Sequence, residues 1–390
     1  MSGFIFMITA IIFILILGVL IFVHELGHFL VAIRNGIKAD EFGFGFPPRI
    51  VGVVKNDKTK KYEIVWGEKD IKSKNTIFSF NWIPLGGFVK IKGEDGGSND
   101  KDSFATKPAW IRTKVLAAGV TMNFILAWFL LSIVFTLGAP EAIEDGVKAK
   151  DAKVQISHIV DDTPAKEMGL AVGDQVTKIC DNKKNCRTIS KVEELQTFIN
   201  EHKGQTITLT IKRGDVISEL KGIPRKEYPS DQGSLGVGLA RTALIKYPWY
   251  EAIGRGLTAV FDMTFLIVTT LFSLLAQLLS GSKPAMDVAG PIGIAIMTKQ
   301  VSALGLVYIL QFTAVLSINL AIINILPFPA LDGGRIFFIL IEKIKGSPVN
   351  QKTEQLANSI GFSLLLLLMV VVTFHDFIQF ELVDKIKNIF

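Results

Sequence analysis

SGFIFMITAIIFILILGVLIFVHELGHFLVAIR, from Ser2 to Arg34, decides the architecture of this chain. No residue between Ser2 and Val23 is charged, and a helix of that length crosses the roughly 30 Å hydrocarbon core of a bilayer. The run ends in His24-Glu25-Leu26-Gly27-His28. On a helix, residues four apart share a face, so His24 and His28 are placed to hold one zinc ion while Glu25, beside them, reaches a water on the metal. Hydrolysis needs water and a membrane excludes it, so this combination restricts the chemistry sharply.

Further uncharged runs follow at Val115–Pro140, Val301–Leu331 and Gln355–Phe374, with a fifth apolar stretch at Met263–Ser282 just after Asp262. The 390 residues are 49% hydrophobic, and the mean hydropathy is +0.41. These features predict a polytopic α-helical membrane protein with four transmembrane helices. The first run is not a cleaved signal peptide: it lacks a basic start and a small-residue cleavage site, and its removal would destroy the HELGH. The net charge of +6 does not indicate a nucleic-acid partner, because the cations flank the apolar runs. Arg34 and Lys38 follow the first, Arg112 and Lys114 precede the second, and Arg335, Lys343 and Lys345 follow the third. The positive-inside rule puts these flanks in the cytoplasm and the N-terminus outside.

The chain therefore divides into a first transmembrane helix with HELGH (1–34), a cytoplasmic or re-entrant β region (35–114) and a second transmembrane helix (115–140). A soluble α/β unit outside the cytoplasm (150–225) and interfacial or re-entrant helices (226–300) come next. A third transmembrane helix (301–331), a cytoplasmic loop (332–354), a fourth helix (355–374) and an external tail (375–390) complete it. Within 40–95, glycines and aromatics alternate, and Ile83–Ile91 reads as a strand with a glycine bend. Such sequence between membrane helices suggests a hairpin dipping towards the bilayer, where protein must cover its backbone groups; pattern alone allows an ordinary soluble β-subdomain equally. Cys180 and Cys186 fall in the external unit, where a disulfide persists; a bridged hairpin and two free thiols both remain open.

The Met263–Ser282 stretch bears on topology through parity. If it crossed, Asp332 would emerge on the opposite side from His24 and His28; if it re-enters or lies in the interface, the three meet. A zinc hydrolase wants three protein ligands and an open position, and Asp332, a lone carboxylate at the end of an apolar run, is the candidate third ligand. Pro327, Pro329, Gly333 and Gly334 break the helix around it.

HELGH at 24–28, PLGGFVK at 84–90, VAGPIG at 288–293 and the NxxPxPxLDG pattern from Asn324 to Gly333 occur in one order along the chain. With these pieces the chain resembles the site-2 protease family of intramembrane zinc metalloproteases, in its bacterial branch of the regulator of sigma-E protease type. The run Pro164–Asp174 resembles the core of a PDZ domain. The resemblance implies that His24, His28 and Asp332 bind Zn2+ and that Glu25 is the general base. It implies that Asn324, with help from Asn123, holds an unwound substrate backbone beside Pro327 and Pro329. It implies that the strand carrying Gly86 and Gly87 is a membrane-re-entrant loop whose edge pairs with substrate. The implied substrates are single-span membrane proteins already cut once on the outside, such as anti-sigma factors, or remnant signal peptides, in the bacterial inner membrane. The PDZ-like unit would bind peptide ends or exclude bulky ectodomains. Two departures stand out: Val120 occupies a position where many relatives have proline, and a single PDZ-like unit is evident. A membrane protease of the CAAX-processing type would take its third ligand from a glutamate on a later helix, which the LDG arrangement opposes. A catalytically dead adaptor would have no use for Glu25.

Overall fold

α1 (Ser2–Arg34) is one unbroken helix, as a strongly apolar run with no proline allows. In the computed structural model, residues 2–68, 73–94, 100–147, 149, 151–214, 216–229, 232–281, 289–347 and 349–379 are described. Val288 and residues 380–390 of the expected tail lie outside them. The chain folds as two compact units.

The first unit comprises Met1–Leu131, Gly256–Lys299 and Gln311–Phe390. After α1 come β1 (Ala39–Lys55), β2 (Tyr62–Trp66) and β3 (Ile77–Ile91), a sheet in the order β2-β1-β3. β1 and β3 bend back on themselves, so Phe42 is paired with both Val89 and Phe78, and Phe44 with both Gly87 and Phe80. β3 lies directly on α1. Gly86, at φ +84°, has no room for a Cβ because Ile21 occupies the space, and a Cβ at Gly87 would meet Phe22 and the Gly43 carbonyl. The glycine pair therefore seats the sheet one turn before His24.

α2 (Ala109–Leu137) follows and packs against the other side of α1. A Cβ at Gly27 would enter the Ala118 carbonyl, which marks how closely the two helices approach. Ala32, Ile37, Ile91, Val115, Leu116 and Ile339 form a buried cluster, so the ends of α1 and β3, the start of α2 and a later helix share one core.

The second unit, Ser132–Arg255 with Gln300–Leu310, holds β4 (Ala139–Ala142), β5 (Lys153–Ile159), α3 (Pro164–Glu167), β6 (Gln175–Cys180), β7 (Cys186–Thr188), α4 (Val192–Glu201), β8 (Ile207–Arg213), β9 (Val216–Gly222) and β10 (Val237–Ile245). The sheet runs β4-β10-β5-β6-β8-β9, with β7 paired to β6; it takes in strands on both sides of the 150–225 stretch. Alternating residues such as Ile207, Leu209 and Ile211 pack with Leu195 and Phe198 of α4 in its core. Asp174, fully buried, accepts two hydrogen bonds from Arg213 at 2.6 and 2.7 Å. Cys180 and Cys186 are bonded as a disulfide across a paired hairpin.

α5 (Trp249–Leu279), α6 (Pro291–Leu304), α7 (Leu306–Ile325), α8 (Asp332–Lys345) and α9 (Gln351–Gln379) complete the chain. Among the described residues five helices are long and apolar enough to cross a membrane: α1, α2, α5, α7 and α9. The stretch expected to form one helix over 301–331 is divided. Gly305, at φ +109°, separates α6 from α7, and the backbone after Ile325 leaves the helix at the Leu326-Pro327-Phe328-Pro329 segment, where proline removes N–H donors.

Candidate metal centre

The site is built where α1, α2 and the start of α8 converge, within the first unit. His24 and His28, one helical turn apart, turn their Nε2 atoms to the same point and lie 3.1 Å from each other. Asp332 Oδ2 completes a triangle, 3.1 Å from His24 Nε2 and 3.3 Å from His28 Nε2. As hydrogen bonds these three contacts are poor, since one N–H cannot point along two sides of a near-equilateral triangle. As metal ligands they fit: donors at about 2.0–2.1 Å from a tetrahedral zinc stand about 3.3 Å apart. The fourth corner faces a cavity of about 260 Å³, lined by the three ligands with Glu25, Ile21, Val89, Glu94, Leu320, Asn324, Ala330 and Leu331. The donor set, two imidazoles and one carboxylate with an open side, is that of a catalytic zinc site.

α2 supplies no ligand, yet it arranges both histidines. The Val115 carbonyl accepts a hydrogen bond from His28 Nδ1 at 2.8 Å. A carbonyl only accepts, so Nδ1 carries the proton and Nε2 keeps its lone pair for the metal. One turn on, Gly119 faces both rings, and a Cβ there would lie 2.7 Å from His24 Nε2 and closer still to His28 Nε2. One further turn on, the side chain of Asn123 meets His24 Nδ1 at 3.2 Å. Residues 115, 119 and 123 thus repeat on α2 the four-residue spacing of the HELGH, in antiparallel sense.

Asp332 is delivered by a tightly folded loop. A Cβ at Gly333 would collide with the Ile325 and Leu326 carbonyls, and one at Gly334 with the Phe328 carbonyl. Ala330 is held at φ +76°, a left-handed conformation costing about 1–2 kcal/mol for a residue other than glycine. Its N–H donates to Asn358 Oδ1 on α9 at 3.1 Å, and Gly361 of α9 leaves room for Pro329. α8 is clamped further by the Arg335–Glu94 pair and by Arg112–Glu342 at 2.7 Å.

The other expected site residues divide. Asn324 lines the cavity. Pro327 and Pro329 shape the loop without being among its lining residues, and Gly86 and Gly87 lie against α1 at Ile21 and Phe22. Asn123 is fully buried and does not line the cavity; it sits behind His24. The roles of Val115, Gly119 and Asn358 escape sequence reading, since a carbonyl, a missing side chain and a distant amide leave no motif.

The model of Peptidase family M50 matches residues 12–67 and 57–368. A protein of Clostridium perfringens is 34% identical over 92% of this chain and 95% of its own. The regulator of sigma-W protease RasP of Bacillus subtilis is 30% identical over 94% of this chain and 98% of its own. The zinc metalloprotease RasP of Oceanobacillus iheyensis is 29% identical over 95% and 99%. Among solved structures, the PDZ domain of an SdrC-like protein from Listeria monocytogenes covers 24% of this chain and 93% of its own, at 24% identity and a TM-score of 0.20; that score carries no fold assignment.

Proposed function

This chain belongs to Peptidase family M50 and is a multi-pass membrane zinc metalloprotease, and from that premise we propose that it hydrolyses peptide bonds within the membrane segments of single-span proteins. The observation that carries the proposal is the ligand triangle at the end of an apolar helix, opening on a cavity that also contains Glu25. His24, His28 and Asp332 would hold the zinc. When bound, zinc supplies a Lewis acid that polarises the scissile carbonyl and makes water acidic enough to be deprotonated near neutral pH. Glu25 takes the proton of the attacking water and delivers it to the leaving amine nitrogen. Asn324, on the cavity wall one turn past Leu320, holds the extended substrate backbone. A helical substrate hides its carbonyls in internal hydrogen bonds, so it must unwind to be cut; β3, which contributes Val89 to the cavity wall, offers an edge for the unwound strand.

The topology that serves this reaction has four spans. α1 and α2 are antiparallel, and α7 returns Asp332 to the level of His24, so an even number of crossings separates α2 from α7. α6, at 14 residues, is about 21 Å long and too short to cross, which makes α5 an interfacial or re-entrant helix. Its polar residues support this: Glu251, Arg255, Thr258, Asp262, Thr269 and Ser273 recur three, four or seven apart along one face, the pattern of a helix lying between water and lipid. The sheet carries exposed Tyr62, Ile64, Trp66, Phe78, Phe80 and Trp82, each between 49% and 74% accessible, a face suited to the lipid interface. This supports a re-entrant sheet.

The second unit stands outside the cytoplasm, in keeping with its disulfide, and acts as the PDZ-like domain that admits substrates trimmed by a first external cut. The name of the Bacillus relative, a sigma-W regulator protease, makes anti-sigma factors the first substrates to try, with remnant signal peptides second. The membrane is the bacterial cytoplasmic membrane. Purified enzyme with a pre-trimmed single-span substrate in liposomes tests the proposal. Wild type should cut within the span, while Glu25→Gln keeps its zinc and loses at least about 10²-fold in rate, the usual worth of a general base. Equal cleavage by the two proteins overturns it.

A further inference from the structure

Asn123 is a fully buried amide in the middle of an apolar helix, and its side chain touches one polar group, His24 Nδ1, at 3.2 Å. As the amide is placed, its nitrogen faces His24 and its oxygen has no partner; the assignment below exchanges the two ends. A buried polar group of that kind costs free energy unless the interaction it does make is useful. Its backbone is fixed from a third helix, where the Ser317 hydroxyl donates to the Asn123 carbonyl at 2.8 Å.

The two ends of an amide are told apart only by what they bond. For His24 Nε2 to hold a metal it must present a lone pair, so the ring's proton sits on Nδ1. An N–H there needs an acceptor, and of the two amide ends only the oxygen accepts. His28, one turn further along α1, has the same arrangement with the carbonyl of Val115, two turns before Asn123, as acceptor, so α2 would provide one acceptor for each histidine.

We propose that Asn123 is a positioning residue of the metal centre: its side-chain oxygen accepts the Nδ1–H of His24, fixing the tautomer and ring plane that aim Nε2 at zinc. This rests on the zinc site proposed above, and it differs from a role in holding substrate, because Asn123 lies behind the histidine and away from the cavity.

Zinc affinity, read by chelator competition on the full-length protein in detergent, tests it alongside the visible spectrum of the cobalt-substituted form. Asn123→Leu keeps the size and removes the acceptor; zinc binding should weaken about 10- to 100-fold, as for other outer-shell partners of ligand histidines, and the cobalt bands should shift. Asn123→Asp offers acceptors only and should bind zinc at least as tightly as wild type. Wild-type affinity and spectrum in the Leu variant, with a raised KM, would assign Asn123 to substrate and overturn the proposal. Should the Leu variant not fold, the Asp variant decides: retained affinity supports the proposal, and weakened affinity overturns it. His28→Ala is the separate control on the site itself. If that variant binds zinc like wild type, the ligand set is wrong, a failure distinguishable from any result at position 123.

Discussion

Gly119→Ala adds a single methyl group and should empty the zinc site. At 2.7 Å from His24 Nε2, the new Cβ falls 0.7 Å short of ordinary contact, which begins at 3.4 Å, and it comes closer still to His28 Nε2. His28 is tied to the Val115 carbonyl, and a ring that swings into the cavity it lines gives up its place at the metal position. Either α2 moves off α1 or the rings turn, and the shift required exceeds the roughly 0.2 Å that metal-site distances tolerate. Zinc affinity should fall by about 100-fold or more, at or beyond the upper end of what loss of one outer-shell hydrogen bond costs. The fold should survive: overpacking costs about 1–3 kcal/mol, and alanine returns up to about 1 kcal/mol in helix propensity. Gly254→Ala is the matched control, since a Cβ there meets nothing within 4 Å. Metal content of the purified variants and their thermal melts with and without added zinc provide the readout. Stoichiometric zinc and a wild-type cleavage rate in Gly119→Ala would refute the geometry from which the site is built.

Two other outcomes follow from the described contacts. Replacing both Cys180 and Cys186 with serine opens a loop whose ends are six residues apart, which should cost about 2 kcal/mol of stability from loop-closure entropy; calorimetry of the full chain with and without reductant measures it, and identical melts would count against the bridge. Asn324→Ala should keep stoichiometric zinc while kcat/KM falls about 10-fold, the worth of one hydrogen bond of about 1.5 kcal/mol; coordinate loss of zinc would instead make Asn324 part of the metal centre.

What the chain discloses as text is what side chains carry. HELGH is legible because the helical repeat alone brings His24 and His28 to one face, and Asp332 because a carboxylate ending an apolar run is costly without a task. The soluble unit shows through the alternation of strands such as Ile207–Arg213. Gly119 is illegible, since its signal is the absence of a side chain in a helix where glycine also serves ordinary packing. Val115 is illegible because its carbonyl acts, and every residue has one. The break at Gly305 hides inside a continuous apolar run, and the double pairing of Phe42 depends on a bend that strand periodicity does not record. Asn123 was readable as a polar residue in a span, but its partner was not: His24 lies 99 positions away, and only the antiparallel register of α1 and α2 identifies it.

That register also explains why a polar centre is tolerable so near an apolar core. His24 and His28 turn Nε2 to the metal position and Nδ1 to α2, and both are buried, so their polar atoms are withdrawn from the surface of α1. The arrangement asks much of α8, since Asp332 comes from a segment 308 positions distant from His24 and stands at the first turn of its helix, where the helix dipole favours a carboxylate. Two tethers act at or beside that turn, Glu94 on Arg335 and Asn358 on the strained Ala330, while Arg112 holds Glu342 near the far end of α8. α9 meets this loop at two adjacent residues, Ala330 through Asn358 and Pro329 through Gly361, just before Leu331 and Asp332. On the proposed reaction, a substrate strand entering the cavity would lie against Ala330 and Leu331, and the segment touching substrate would be the one that carries Asp332. Binding a strand and presenting Asp332 would then be mechanically joined, as the proposed cleavage of unwound peptide requires.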